Sequence, residues 1–189
     1  MRKRFDIWTW AGFFTAAVLG TLGHFAYDWS GKSLPVGAFC AVNESTWEHM
    51  KLLFFPVLLF TAGQLCLRWE SGLLAARAVS TTAGLVAIPA LFYTYSGVLG
   101  RTVDWVNILI FYAADAALFG LDSRLRRSGH FRAPWLQTAG APWLWLLAFL
   151  FVWWTFRPPH IGLFLDPVTG QYGIASTWKA PPGRAALFY

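Results

Sequence analysis

From Leu52 to Leu67 the chain carries no charged residue, and comparably apolar stretches recur on both sides of it. Runs this continuous do not fit the one-sided pattern of a soluble helix. A hydrocarbon layer about 30 Å thick needs about 20 apolar helical residues to cross it. Inside that layer every backbone amide and carbonyl must be satisfied within the segment, which selects helices. The expected fold class is therefore all-α, a polytopic membrane helical bundle with about five transmembrane helices. Composition agrees: 13% of residues are charged, against about 25% in soluble proteins.

The spans are expected at about 8–27, 45–67, 78–99, 105–121 and 142–156, giving one bundle over 1–157 and an extracytoplasmic tail over 158–189. The apolar piece from Leu34 to Val42 is too short to cross and is expected to dip into the membrane or roof the bundle. Pro56 and Pro89 should kink their spans. Small residues at Ser80, Gly84 and Ala87, and at Ala113 and Ala117, offer faces for close helix approach. Met1-Arg-Lys-Arg4 followed by an apolar run resembles a signal peptide, but His24, Tyr27, Asp28 and Trp29 replace a small-residue cleavage site, so a retained first span is expected.

Arg2, Lys3, Arg4, Arg68, Arg77, Arg124, Arg126, Arg127 and Arg132 fall on one side of this arrangement. Lys32, Lys51, Arg101 and Arg157 fall on the other, with Lys179 and Arg184 farther along the tail. The positive-inside rule then places the N-terminus in the cytoplasm and the C-terminus outside. The net charge of +6 sits in loops rather than on one polar face, which argues against a nucleic-acid partner. The expected partners are membrane lipids and a lipid-like or small-molecule substrate. Cys40 and Cys66 lie at opposite ends of the second span, so neither a disulfide nor a CxxC zinc pair is expected.

In this orientation the polar residues gather on the outer side. His24 and Asp28 end span one, and Glu44, Glu48 and His49 precede the apolar part of span two. Asp104 opens span four, while His160 and Asp166 follow span five. Histidine nitrogens with carboxylates suit zinc, with a coordination position left for water. The metal candidates are His24, Asp28, His49 and His160; the catalytic candidates are Glu44, Glu48 and His49.

Simpler roles compete. Ser45-Thr-Trp-Glu48 has capping-box spacing, and Glu48 lies three residues before Lys51, within reach of a helical ion pair. A lone interfacial histidine commonly serves in packing. Asp115, near the middle of span four, costs several kcal/mol there if ionised, about 2.5–3.5 on insertion scales. Its expected partners are Tyr93, Thr94, Tyr95, Ser96, Asn107 or Gln64. Asp115 and Asp104 are the candidate intramembrane polar residues.

The strings Gly23-His24-Phe-Ala-Tyr27-Asp28-Trp29-Ser30-Gly31 and Val42-Asn43-Glu44-Ser45-Thr46-Trp47-Glu48-His49-Met50-Lys51-Leu52, followed by Phe54-Phe-Pro56, resemble a family of small bacterial integral membrane proteins known only as a domain of unknown function. The resemblance implies a multi-pass protein of the bacterial inner membrane and brings no activity with it. A looser similarity, to zinc-binding membrane hydrolases of the ceramidase and progestin-receptor type, stops at the kind of site, because this chain has fewer spans and no paired HxxxH. Three functions are compatible with these residues. The first is a metal-dependent hydrolase acting on a lipid-like substrate, and the second a small-solute or proton-coupled transporter using Asp115. The third is a non-catalytic membrane scaffold.

Overall fold

A computed structural model describes residues 2–176, with side chains over 7–174. Among the described residues the chain is all-α, with six α-helices: α1 (Arg2–Trp29), α2 (Leu34–Phe39), α3 (Thr46–Leu67), α4 (Leu73–Leu99), α5 (Asp104–Ser128) and α6 (Pro134–Phe156). Four of them, α3 to α6, are long and apolar enough to cross a membrane. The basic triplet Arg2, Lys3 and Arg4, with Lys179 and Arg184, lies outside the described side chains.

The 28-residue α1 falls outside that group of four. Yet one side of it is uniformly apolar and exposed: Ile7, Trp10, Phe14, Val18, Leu22, Phe25 and Trp29 recur every three or four residues, the spacing of a single helix face. The opposite side packs on α3 and α5. Gly20 sits so close to the carbonyl of Leu52 that an added Cβ would lie 2.7 Å from it, so only glycine lets α1 settle there. Gly31 and Lys32 both take left-handed backbone conformations, with φ of 67° and 62°, and turn the chain into α2.

Pro56, Pro89 and Pro142 all lie inside helices that continue through them. Gly84 meets Leu118 and the carbonyl of Ala114, so the small-residue face expected on span three is where α4 meets α5. The core between the helices is aromatic and aliphatic: Phe54, Phe151, Trp47 and Phe164 follow one another as tilted rings, with centroids 4.4–4.9 Å apart.

One group of charges departs from the sequence expectation. Arg77 and Arg126 are not loop signals; they are buried within α4 and α5. Asp122 lies between them. Arg77 Nε donates to Asp122 Oδ1 at 3.2 Å and Nη2 to Oδ2 at 3.2 Å. Arg126 Nε donates to Asp122 Oδ2 at 2.9 Å, and its Nη1 reaches Glu70 at 3.1 Å. Arg77 also donates to Thr61 and Gln64 of α3 and lies over the rings of Phe60 and Phe119. Two guanidiniums facing two carboxylates leave the group neutral, the condition under which charge tolerates exclusion from water.

Removing Asp122 would leave Arg77 buried without an anionic partner and Arg126 with Glu70 alone. Asp122→Ala should lower unfolding free energy by about 3–5 kcal/mol, as breaking a buried ion pair does. A melting curve in detergent that matches wild type would contradict this.

Candidate metal centre

The segment between α2 and α3 is pinned before it reaches Glu44. Glu48, fully buried in the first turn of α3, accepts the backbone N–H of Val42 at 3.1 Å. Asn43 Oδ1 accepts the N–H of Ser45 at 2.9 Å, and Asn43 Nδ2 donates to the carbonyl of Gly173 at 3.0 Å. Ser45 caps α3 by accepting the N–H of Glu48. The capping box is therefore half formed: Glu48 reaches back to Val42 rather than to Ser45, whose amide Asn43 has taken.

Glu48 is held on its other side by Lys51, at 2.5 Å, and by Thr155 of α6, at 3.0 Å. The Lys51 ammonium in turn donates to Thr155 and to the carbonyl of Gly37. This buried group ties α2, α3 and α6 together and takes Glu48 out of the outward-facing set expected from the sequence. It also removes Lys51 from the exposed loop charges.

Glu44, by contrast, projects from its loop with half its side chain exposed. One carboxylate oxygen lies 3.7 Å from His24 Nε2 and the other 3.5 Å from His49 Nε2. The two imidazoles come from α1 and α3, with ring centroids 5.4 Å apart. One ligand atom from each of the three residues lies within 4.8 Å of the others. His49 Nδ1 sits 2.9 Å from the carbonyl of Ser45, a contact that requires a proton on Nδ1 and leaves the Nε2 lone pair directed towards Glu44. A backbone acceptor on the second nitrogen is the usual way a metal-binding histidine is oriented.

Direct charge-assisted hydrogen bonds would measure about 2.7–2.9 Å, shorter than the 3.5 and 3.7 Å seen. Ligand atoms about 2.0–2.1 Å from a tetrahedral zinc lie about 3.3 Å apart, so an ion would draw these three side chains, now within 4.8 Å of one another, closer together. Two nitrogens and one carboxylate oxygen leave a fourth position towards solvent, where all three side chains are partly exposed.

The remaining candidates do not join these three. Asp28 is one turn beyond His24 on the same side of α1 but is exposed and outside the group. Asp104 is exposed in the first turn of α5. His160 stacks on Tyr172 at 4.6 Å in the segment after α6. Asp166 closes a turn there, accepting from Val168 and Thr169. Asp115 is buried in α5, and neither of its oxygens has a hydrogen-bond partner among the described residues. Its expected partners are occupied elsewhere: Tyr95 with Asn107, Tyr93 with Gly162, and Gln64 with Arg77.

Sequence reasoning missed Thr155, Asp122 and Glu70. The i,i+4 spacing of Asp122 and Arg126 was the one available signal; nothing local marks Thr155. Cys40 and Cys66 are both free thiols, and burial pushes the Cys40 thiol above its ordinary pKa, with the nearby Lys51 opposing the shift.

An all-α bundle carrying four helices fit to cross a bilayer, with a His/Glu group at one end, defines a multi-pass membrane protein with a candidate metal centre. The chain belongs to a family of unknown function, DUF6512, whose model matches residues 1–174. No curated protein and no solved structure matches the chain.

The division between the structural Glu48 and the exposed Glu44 is measurable. Lys51→Met should cost about 3–5 kcal/mol by leaving Glu48 buried without its cation, and adding Glu48→Gln should recover much of that loss. Equal melting temperatures for the single and double variants would contradict the pairing.

Proposed function

We propose that this chain is a five-span inner-membrane protein that binds one zinc ion through His24, Glu44 and His49 on its extracytoplasmic side and hydrolyses a lipid-like substrate there. The observation that carries the reading is the convergence of two imidazole Nε2 atoms on the two oxygens of one carboxylate at 3.7 and 3.5 Å. A zinc ion held by three protein ligands keeps a position for water or substrate and acts as a Lewis acid towards an ester or amide carbonyl. Asp28, one helical turn from His24, is the nearby carboxylate suited to take up a proton from water.

The exposed stripe on α1 supports a fifth span. Ile7 to Trp29 covers about 33 Å at 1.5 Å per residue, enough for a hydrocarbon core of about 30 Å. Orientation rests on the exposed basic residues that remain after Arg77, Arg126 and Lys51 are set aside. Arg68, Arg124, Arg127 and Arg132 lie at the Asp122 end, and Lys32, Arg101 and Arg157 at the Glu44 end. The N-terminal Arg2, Lys3 and Arg4 add to the Asp122 end and favour a cytoplasmic N-terminus.

Purified protein should bind zinc at one ion per chain by metal analysis, and His24→Ala, Glu44→Gln and His49→Ala should each abolish stoichiometric binding. Wild type without affinity for zinc would overturn the centre. Glu48→Gln, in contrast, should retain the metal.

Asp115 favours a second reading, a proton-coupled transporter, because a buried carboxyl group lacking a hydrogen-bond partner is the kind of intramembrane residue that marks proton paths. On that reading, proton flux into liposomes, followed with an entrapped pH-sensitive dye, should disappear in Asp115→Asn. Flux indifferent to the substitution would dismiss it.

A further inference from the structure

A second feature lies across the α1–α3 seam from the metal centre. Between α1, the end of α2, α3, the first turn of α4 and α6 runs a groove of about 740 Å³ with no charged residue in its lining. Small residues shape its walls: Gly23 and Ala26 of α1, Ala62 of α3 and Ala141 of α6. Leu22 and Trp29, 46% and 69% exposed, belong both to its rim and to the apolar stripe of α1. The groove is thus continuous with a surface that meets hydrocarbon when α1 crosses the bilayer.

Its dimensions select among occupants. The lining runs from Leu19 to Trp29 on α1 and from Leu52 to Leu65 on α3, about 15 and 20 Å along the helix axes. Half of a hydrocarbon core about 30 Å thick is about 15 Å, the depth reached by the chains of one leaflet. A docked protein helix, at about 10–12 Å in diameter with its side chains, is a poor match for a recess of this volume. An extended hydrocarbon chain fits it.

We infer that this groove holds one acyl chain of a membrane phospholipid, at the level that brings the linkage region of that lipid to the His24–Glu44–His49 centre. The registry comes from sequence neighbours: Gly23, in the lining, precedes His24, and Leu52, also in the lining, lies one turn beyond His49. The outer part of the groove and the centre therefore share a depth. The inference supplies a substrate class for the proposed hydrolase and rests on that reading for its role, whereas acyl-chain residence in the groove stands apart from it.

The test uses full-length protein in phosphatidylethanolamine–phosphatidylglycerol vesicles containing a phospholipid with a diazirine on one acyl chain. After irradiation, adducts are mapped by mass spectrometry. Label should concentrate several-fold on the groove-lining parts of α1, α3 and α6 over the exposed α5 residues Trp105, Ile108 and Leu109, which report ordinary lipid contact. Ala26→Trp and Ala62→Trp, each checked for wild-type melting, should reduce the groove label several-fold. Even labelling around the bundle, or indifference of folded tryptophan variants, would overturn the inference. His49→Ala should keep the label while losing zinc. Loss of zinc affinity in wild type overturns the metal centre alone, and even labelling overturns the groove alone.

Discussion

Asp122 holds two guanidinium groups where water does not reach, and the positions of three helices follow from that one carboxylate. Arg77 and Arg126 come from α4 and α5, and Arg77 extends the contact to Thr61 and Gln64 of α3. In a bilayer, helices gain little from burying apolar surface against each other, because lipid is equally apolar. Ties of this sort, together with close approach at residues such as Gly84, then determine which helices are neighbours. The Lys51–Glu48–Thr155 group does the same at the other end, for α2, α3 and α6. The bundle is clamped twice, and the aromatic stack of Trp47, Phe54, Phe151 and Phe164 fills the space near the second clamp.

The second clamp also prepares the site. Glu48 holds the amide of Val42, while Asn43 holds that of Ser45, so Glu44 is presented from a loop fixed on both sides. His24 and His49 arrive from helices whose separation Gly20 sets against Leu52. A metal site gains from this, since the ordering of its ligands is accomplished during folding rather than at binding. The same loop accounts for the division of labour between two glutamates four residues apart. Glu48 serves the backbone and a buried lysine, and Glu44 is left for solvent and the imidazoles.

The helical bundle was legible because apolar length is a property of consecutive residues. Helix α1 stands outside the four helices long and apolar enough to cross a membrane, although one of its sides is apolar and exposed from Ile7 to Trp29. The convergence of His24 and His49 with Glu44 was legible as a shared end of the bundle, not as a triad. Which carboxylate would join them depended on contacts made by Thr155, more than a hundred residues away. Arg77 and Arg126 misled for a related reason. An arginine near the end of an apolar run reads as a loop charge unless its partner is known, and the partners Asp122 for Arg77 and Glu70 for Arg126 come from other segments.

The hydrogen bond from Asn43 to Gly173 has a mechanical consequence. Gly173 rests against Thr155 and Pro158, and its carbonyl anchors the side chain that fixes the amide beside Glu44. Tension applied to the backbone at Gly173 would therefore reach the carboxylate through a single side chain. A bulky fusion or surface tether attached immediately after this point would detune the loop that carries Glu44, whereas an attachment at the opposite pole of the bundle leaves it undisturbed.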